Sequence, residues 1–470
     1  MTSHRLCAAA VAAAVSFALP SFANEPINAR ALVAAAADAA AIYDLDTGQE
    51  LARIALSSSV TDLAVTRAGI GLINDTGAHH VVVVDLTTAR EITRLPASRL
   101  GGRRPVHLYL SPVIAGQQIA VVLNDGAGHG SHGAEPPTDS TATLIDVTVG
   151  SPSYLTAVGE VRLGHGHHKA AFSPTLPRMV ISNISDCTNV LTVVDFANPA
   201  EPQVIHQFAP AAFGLDGSTP MRRCDASGRN GVSLAPHGVA SSAASGLVFH
   251  HLTGTGQIAA IDLSQTPPAL SVVQTAGTGG ASIKDLPGGA VIVVPQRTPR
   301  ELGLRGGGQR CQVGQLAVLD AVRPALLAQQ PILSGGPDCS DSLAGRADAY
   351  AAPGYAIAPD GRHLFVQLGT LGGVREARSR EIAVFDLGQP ARPRQLPSIQ
   401  IGAGDGTRDH AVTGDGRFLL VPNSLDATVS VVAIATRTVV KTLPTLPRPS
   451  RVGTFGAAGP SKPVGPPSLN

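Results

Sequence analysis

The chain has 470 residues and a formal net charge of +1, with 35 Lys and Arg against 34 Asp and Glu. These charges are scattered along the chain, so they favour neither nucleic acid nor an anionic membrane as a partner. The absence of Trp argues against WD repeats and against a quinoprotein ring with Trp docking motifs.

The first residues have the pattern of an export signal. Residues 1–23 contain a short basic start, an Ala/Val-rich apolar run and a small-residue end, which predicts cleavage before Asn24. No later apolar stretch is long enough to cross a bilayer. We therefore expect a periplasmic protein that is monomeric and is not inserted in the membrane.

A short motif recurs eight times along the rest of the chain. Each copy has an apolar run that ends in Asp or a substitute, then a turn, then a second run. The copies lie at residues 40–56, 81–96, 142–150, 190–208, 257–274, 315–333, 381–399 and 429–445. Strand-rich units at this spacing are typical of propeller blades, so we predict an all-β propeller with four antiparallel strands per blade.

The two ends of the chain complete the ring in this prediction. Seven full units occupy residues 61–445, residues 31–56 supply three strands of another, and residues 451–456 supply its first strand. One blade built from both ends gives eight blades and leaves no exposed sheet edge. The alternative is seven blades with an extra N-terminal ribbon. The predicted propeller spans residues 24–456, and a Pro/Gly-rich tail, residues 457–470, is expected to be disordered.

Four histidines lie near the start of a predicted first strand, which is the innermost strand of a blade. These positions should converge on one mouth of the central channel. Imidazole is a frequent ligand of zinc and copper, and three or four converging rings would suit either metal. The four are His107, His168, His237 and His410, with Asp409 as a carboxylate ligand or a partner of an imidazole.

More histidines lie in loops predicted on the same face. His129 and His132 are in the Gly-rich loop NDGAGHGSHGAEPP, and His165 and His167 are in the segment GHGHH that ends at His168. Gly-rich segments of this kind can capture a metal ion without a preformed cage. We therefore include these four residues in the predicted metal-binding set.

Four cysteines remain after the signal segment, namely Cys187, Cys224, Cys311 and Cys339. An even number in an exported chain favours two disulfides. Three pairings are possible, and we choose the one between sequence neighbours, Cys187–Cys224 and Cys311–Cys339. A metal site of four thiolates is the alternative, but the chain has no CxxC spacing to support it.

Several stretches carry a more specific resemblance. The strand patterns resemble bacterial propeller repeats of the YVTN type across nearly the whole mature chain. The motifs GHGHHKAAFSP, SNISDCTNVLTVVDF, APHGVA, TGTGQIAAIDL and DHAVTGDGRFLLVPN, with the His-bearing loop, resemble periplasmic zinc metallochaperones of the AztD kind. The resemblance implies that the protein binds zinc and passes it to the zinc-binding protein of an ABC importer.

These patterns lead to one expectation and two alternatives. We expect a zinc-binding delivery protein that is not an enzyme, with copper as the other metal that the His and Asp set would accept. The first alternative is a propeller enzyme, either a lactonase or a copper oxidoreductase. The second is a protein-interaction scaffold without metal.

Overall fold

The protein is an eight-bladed β-propeller in which each blade is a four-stranded antiparallel sheet. The computed structural model describes residues 26–35, 38–58, 60–126, 140–166, 168–184, 188–215, 234–278, 283–301, 310–332, 349–370, 379–404 and 410–456. Within these ranges the helical structure is one 3-10 turn, Pro210–Phe213, and no helix is long and apolar enough to cross a membrane. The predicted signal segment and tail lie outside the described residues.

Blades 1 to 4 follow the chain from its N-terminal side. Blade 1 contains β1 (Ala29–Ala35), β2 (Ala39–Asp44) and β3 (Glu50–Ala55). Blade 2 contains β4 (Val60–Val65), β5 (Ile70–Asp75), β6 (His80–Asp85) and β7 (Arg90–Pro96). Blade 3 contains β8 (Pro105–Leu110), β9 (Ile119–Asn124), β10 (Thr141–Asp146) and β11 (Thr156–Arg162). Blade 4 contains β12 (Ala170–Phe172), β13 (Arg178–Ser182), β14 (Leu191–Asp195) and β15 (Gln203–Phe208).

Blades 5 to 8 continue in the same order. Blade 5 contains β16 (Pro236–Ser241), β17 (Val248–Leu252), β18 (Gln257–Asp262) and β19 (Ala269–Gln274). Blade 6 contains β20 (Lys284–Asp285), β21 (Val291–Glu301), β22 (Arg310–Asp320) and β23 (Ala325–Pro331). Blade 7 contains β24 (Ala349–Ile357), β25 (His363–Thr370), β26 (Ser379–Asp386) and β27 (Arg394–Gly404). Blade 8 contains β28 (Ala411–Val412), β29 (Phe418–Asn423), β30 (Thr428–Ala433) and β31 (Thr438–Pro444).

The last strand, β32 (Pro449–Gly456), closes the ring. It pairs antiparallel with β1, from Ala29 opposite Gly456 to Ala35 opposite Pro449. Blade 1 therefore takes its innermost strand from the C-terminal side of the chain, which confirms the eight-bladed prediction over the seven-bladed one. This pairing satisfies the sheet edge that would otherwise be open.

The hydrophobic core lies between blades. Both faces of the second and third strands are buried, because each blade packs against a neighbour on either side. Leu32 and Ile42 of blade 1, for example, share a cluster with Ile73 and Val82 of blade 2. Fourth strands lie at the outside and are largely exposed, as in β7. The scaffold is thus a rigid ring whose connections can vary in length on each face.

Candidate functional site

One face of the ring carries the connections that contain most of the histidines. Strand order places the connections between second and third strands, and those leading from a fourth strand to the next blade, on the same face. In blades 3 and 4 this face contains the start of β8, the β9–β10 connection and the β11–β12 connection. We call this part of the surface the histidine face.

His107 on β8 is held by a carboxylate from the neighbouring blade. Its Nδ1 lies 2.9 Å from Oδ2 of Asp62 on β4, and both side chains are buried. Lys169 Nζ is 3.3 Å from the same nitrogen. A carboxylate accepts whereas an ammonium donates, so the two contacts call for different tautomers. We assign the proton to Nδ1, because the Asp62 contact is shorter and is assisted by charge. The lone pair of the neutral ring is then on Nε2.

Asp62 connects three blades. Besides His107, its Oδ2 accepts from the backbone N–H of Leu108 at 3.2 Å. Its Oδ1 lies 3.4 Å from Arg451 Nη1 of β32, whose side chain is also buried. The carboxylate thus joins blades 1, 2 and 3 where the C-terminal strand enters the ring, and it fixes the orientation of His107.

His168 has a similar arrangement in blade 4. Its ring is fully buried, and Nδ1 donates to the carbonyl of Ser182 at 2.8 Å. A carbonyl only accepts, so this contact also places the lone pair of the neutral ring on Nε2. The backbone N–H of His168 donates to Oδ1 of Asp125 at 3.2 Å. Two neighbouring blades therefore each present an imidazole whose Nδ1 is already engaged.

The β9–β10 connection starts and ends beside these histidines. Asp125 follows β9, and its carbonyl accepts from the Ser140 hydroxyl, which precedes β10, at 2.9 Å. The backbone N–H of Asp125 donates to the carbonyl of Arg104. His129 and His132 of this connection lie outside the described residues, as does His167. His165, which follows β11 of blade 3, is buried. The described ends of this connection, Asp125 and Ser140, therefore lie on the histidine face.

The formal charges of this site balance. Asp62 and Asp125 are buried carboxylates, and Arg451 and Lys169 are the nearby cations. Asp62, Arg451 and Asp125 all act electrostatically on Tyr109, whose pKa is raised mainly by its complete burial. The Tyr109 ring lies 6.1 Å from that of His107. The formal charges of these four side chains therefore sum to zero.

The other predicted ligands of the first strands are placed differently. His237 is half-buried in blade 5. His410, in blade 8, donates from Nε2 to Oε1 of Gln367 in blade 7 at 3.2 Å. Burial, with the charge of Lys284, lowers the pKa of His410 to about 3. Asp409 lies outside the described residues. His410 is separated from His107 by blades 1 and 2, and its Nδ1 has no hydrogen-bond partner among the described residues.

Among the residues that the structure describes, no group of three or more His, Cys, Asp or Glu side chains is arranged to hold a metal ion. His107 and His168 are brought to neighbouring blades, while His129, His132 and His167 of the predicted set lie outside the described ranges. The cysteines give no test of the disulfide prediction, because Cys187, Cys224 and Cys339 lie outside those ranges and only the backbone of Cys311, in β22, is described.

Two adjacent histidines of β17 are more buried than the sequence suggests. Side chains alternate along a strand, so one of His250 and His251 would be expected to face away from the protein. Both are fully buried, because each side of blade 5 is covered by a neighbouring blade. His250 Nε2 donates to the carbonyl of Val180 in blade 4 at 3.2 Å, and His251 Nε2 lies 3.0 Å from Gln296 Nε2 in blade 6. Burial lowers the pKa of each to about 3.

Sequence reasoning did not identify Asp62 or Arg451 as parts of this site. Both lie in first strands, at the same end as the histidines. This shared position in the repeat is the sequence feature that points to them. A search for charged residues at the start of every first strand would have found them.

The chain is similar to known proteins in its fold and only distantly in its sequence. No family model and no curated protein sequence matches it. The structure of apo AztD from Citrobacter koseri is similar, with a TM-score of 0.56 and 12% identity over 92% of this chain and 99% of that one. Two enzymes are similar as well. The Pseudomonas aeruginosa periplasmic gluconolactonase PpgL has a TM-score of 0.52 and 16% identity over 91% of this chain and 99% of that one. The dihydro-heme d1 dehydrogenase NirN has a TM-score of 0.54 and 15% identity over 95% of this chain and 78% of that one.

These neighbours require one correction. The expectation that the protein is not an enzyme was wrong as an inference from its fold and resemblance, because the same propeller occurs in a gluconolactonase and in a dehydrogenase at similar identity. At these identities the likeness establishes the fold and leaves function to be argued from the residues of the site.

Proposed function

We propose that the protein binds zinc on the histidine face and delivers it to the zinc-binding protein of an ABC importer in the periplasm. The ligands would be Nε2 of His107 and of His168, with the remaining ones supplied by His165, His167, His129 and His132. Copper is the other metal that this ligand set would accept. The zinc is cargo, so it must be released as well as bound.

The observation that carries this proposal is the state of Nδ1 in two neighbouring blades. Histidines that bind metals almost always donate their other ring N–H to a carboxylate or a backbone carbonyl, which fixes the tautomer and the ring orientation. His107 has the carboxylate of Asp62, and His168 has the carbonyl of Ser182. With the proton on Nδ1, both rings carry on Nε2 the lone pair that can bind zinc.

A site made of two fixed histidine rings, those of His107 and His168, and of further histidines from a loop suits a metal carrier. The two rings are held by buried contacts, whereas the connection between Asp125 and Ser140 adds two histidines from a 14-residue loop rich in Gly. A site completed by a loop can open when the loop leaves, so the ion can be transferred without unfolding the scaffold. The resemblance to zinc metallochaperones of the AztD kind and the predicted export signal agree with this role.

Zinc affinity, measured by competition with a chromophoric chelator, tests the proposal. We expect His107→Gln combined with His168→Gln to weaken the tightest site at least tenfold. His363→Gln is the matched control, because His363 is on the opposite face and its ring, among the residues that the structure describes, is bonded to Asp360 alone. Circular dichroism would establish that the variants are folded. Equal affinities in the double variant, the control and the parent protein would refute the assignment.

A second function is favoured by the Asp62–His107 pair. A buried carboxylate that orients an imidazole is the arrangement of a general base, and the cations Arg451 and Lys169 beside it could stabilise a developing oxyanion. This reading makes the histidine face the active site of a hydrolase, such as a lactonase. Hydrolysis of aldonolactones by metal-free protein that is lost in His107→Gln would support it over zinc delivery.

A further inference from the structure

A cavity lined by three arginines lies on the opposite face of the ring. It has a volume of about 460 Å³ and is lined by Arg362, Asp386, Gly388, Gln389, Arg392 and Arg394. Arg362 immediately precedes β25, while the others lie at or between the end of β26 and the start of β27. The connections on this face join first to second and third to fourth strands, so the cavity is remote from the histidine face.

The carboxylate of this cavity belongs to a repeated turn. In seven blades the third strand ends in Asp, whose side chain accepts from the backbone N–H two or three residues later. These residues are Asp44, Asp85, Asp146, Asp195, Asp262, Asp320 and Asp386. In blade 7 this bond comes from Gly388 at 2.9 Å, so Asp386 already closes its turn as the other blades do.

Blade 7 adds arginines that the turn does not require. Arg362 donates to both oxygens of Asp386 at 2.9 Å, and Arg394 donates to Oδ2 at 3.1 Å. Among the described residues, no other Asp of this series is bound by two arginines. These contacts, led by the hydrogen bond from Arg362, lower the pKa of Asp386 far below its usual range. The carboxylate is therefore charged at neutral pH.

The acceptor capacity of Asp386 is then exhausted. A carboxylate offers about four acceptor positions. Each oxygen of Asp386 has two donors, namely Arg362 and Gly388 on Oδ1 and Arg362 and Arg394 on Oδ2. Arg392 has no side-chain hydrogen bond or ion pair with the described residues, and Arg362 and Arg394 keep N–H groups beyond those used. The residues that line the cavity thus include three Arg and one Asp whose acceptor positions are filled, a formal excess of two positive charges within the lining.

We propose that this cavity is a binding site for an oxyanion, either a phosphate group or a carboxylate. The planar guanidinium matches both groups with paired N–H donors, and Asp386 holds Arg362 and Arg394 in place before the ligand enters. Arg392 would be the recruiting side chain, since none of the described residues engages its five donors. The site is independent of zinc binding, because it lies on the other face and shares no residue with the histidine face.

Isothermal titration calorimetry of metal-free protein with inorganic phosphate or with succinate, at low ionic strength, tests this site. We expect saturable binding in the millimolar range, weakened at least tenfold in Arg392→Gln. Arg323→Gln is the matched control, because Arg323 occupies the same connection in blade 6, is highly exposed and faces Asp320 in a turn without further arginines. Binding of phosphate alone would identify a phosphorylated ligand, and binding of succinate alone a carboxylate.

The proposal is overturned if neither anion saturates, or if Arg392→Gln and Arg323→Gln bind as the parent protein does. The Arg392 side chain has no hydrogen bond or ion pair with the part of the chain that the structure describes, so Arg392→Gln should fold as the parent protein does, and circular dichroism would check this. Zinc affinity should be the same in both variants, and failure here would leave the zinc proposal intact.

Discussion

His107 and His168, in blades 3 and 4, are as buried as His250 and His251 of blade 5 but have different partners. His107 and His168 have Nδ1 engaged by a carboxylate and a carbonyl, in first strands next to the connections of the histidine face. His250 and His251 lie in the second strand of blade 5, where Nε2 contacts a neighbouring blade and Nδ1 has no hydrogen-bond partner among the described residues. Burial alone therefore does not identify a functional histidine in this fold; its partners and its strand do.

The largest effect is expected when Asp62 is removed. Asp62→Ala takes the carboxylate from both His107 and the buried Arg451, and removing one partner of a buried ion pair costs about 3 kcal/mol or more. We expect a loss of this size in the free energy of unfolding, measured by denaturant titration. The loss should exceed that of Asp320→Ala, whose partner Arg323 is exposed. Equal losses would show that Asp62 does not join the three blades.

The buried pair of blade 5 should be visible as a dependence of stability on pH. The unfolded chain protonates His250 near pH 6.5, whereas burial lowers its pKa in the folded protein to about 3. The unfolded state therefore binds more protons between these values, and stability falls as pH decreases through this range. Each histidine contributes about 1.4 kcal/mol per pH unit.

The variant His250→Gln keeps a donor for the carbonyl of Val180 but does not titrate. The difference in unfolding free energy between this variant and the parent should shift in favour of the variant by about 3 kcal/mol from pH 7 to pH 4. His363→Gln, at a half-exposed histidine beside Asp360, provides the control. A difference that is constant with pH would mean that His250 is protonated, or hydrated, in the folded protein.

The sequence predicts the fold well because the fold is repetitive. Each blade repeats an apolar run, a turn and a second apolar run. Residues 451–456, predicted as the strand that completes the blade of the N-terminal segment, lie within β32, which pairs with β1. Strand limits were less accurate for short first strands. The first strand of blade 8, β28, is limited to Ala411–Val412, because the chain turns at Thr413 to Gly416.

The site was predicted less completely, because contacts between blades depend on side-chain direction. Counting histidines at strand starts selects His107 and His168 in the same way as His410. That ring is instead bonded to Gln367 and lies near the charge of Lys284. Asp62 and Arg451 are separated by almost the whole chain, and only closure of the ring brings them together. No local pattern contains that information.

The smallest effect separates the two proposed functions most directly. Lys169 places an ammonium 3.3 Å from Nδ1 of His107. A nearby positive charge opposes the binding of a cation, so Lys169→Gln should strengthen zinc binding by up to about tenfold. If the same face instead stabilises an oxyanion during hydrolysis, this variant should weaken turnover and leave zinc affinity unchanged. Chelator competition and lactone hydrolysis, measured on the same preparation, give opposite signs for the two functions.

Arg162→Gln, at the end of the preceding strand, shows whether removing any positive charge from this region has the same effect. A gain in zinc affinity specific to Lys169→Gln would mean that a cation is the ligand for which His107 is oriented.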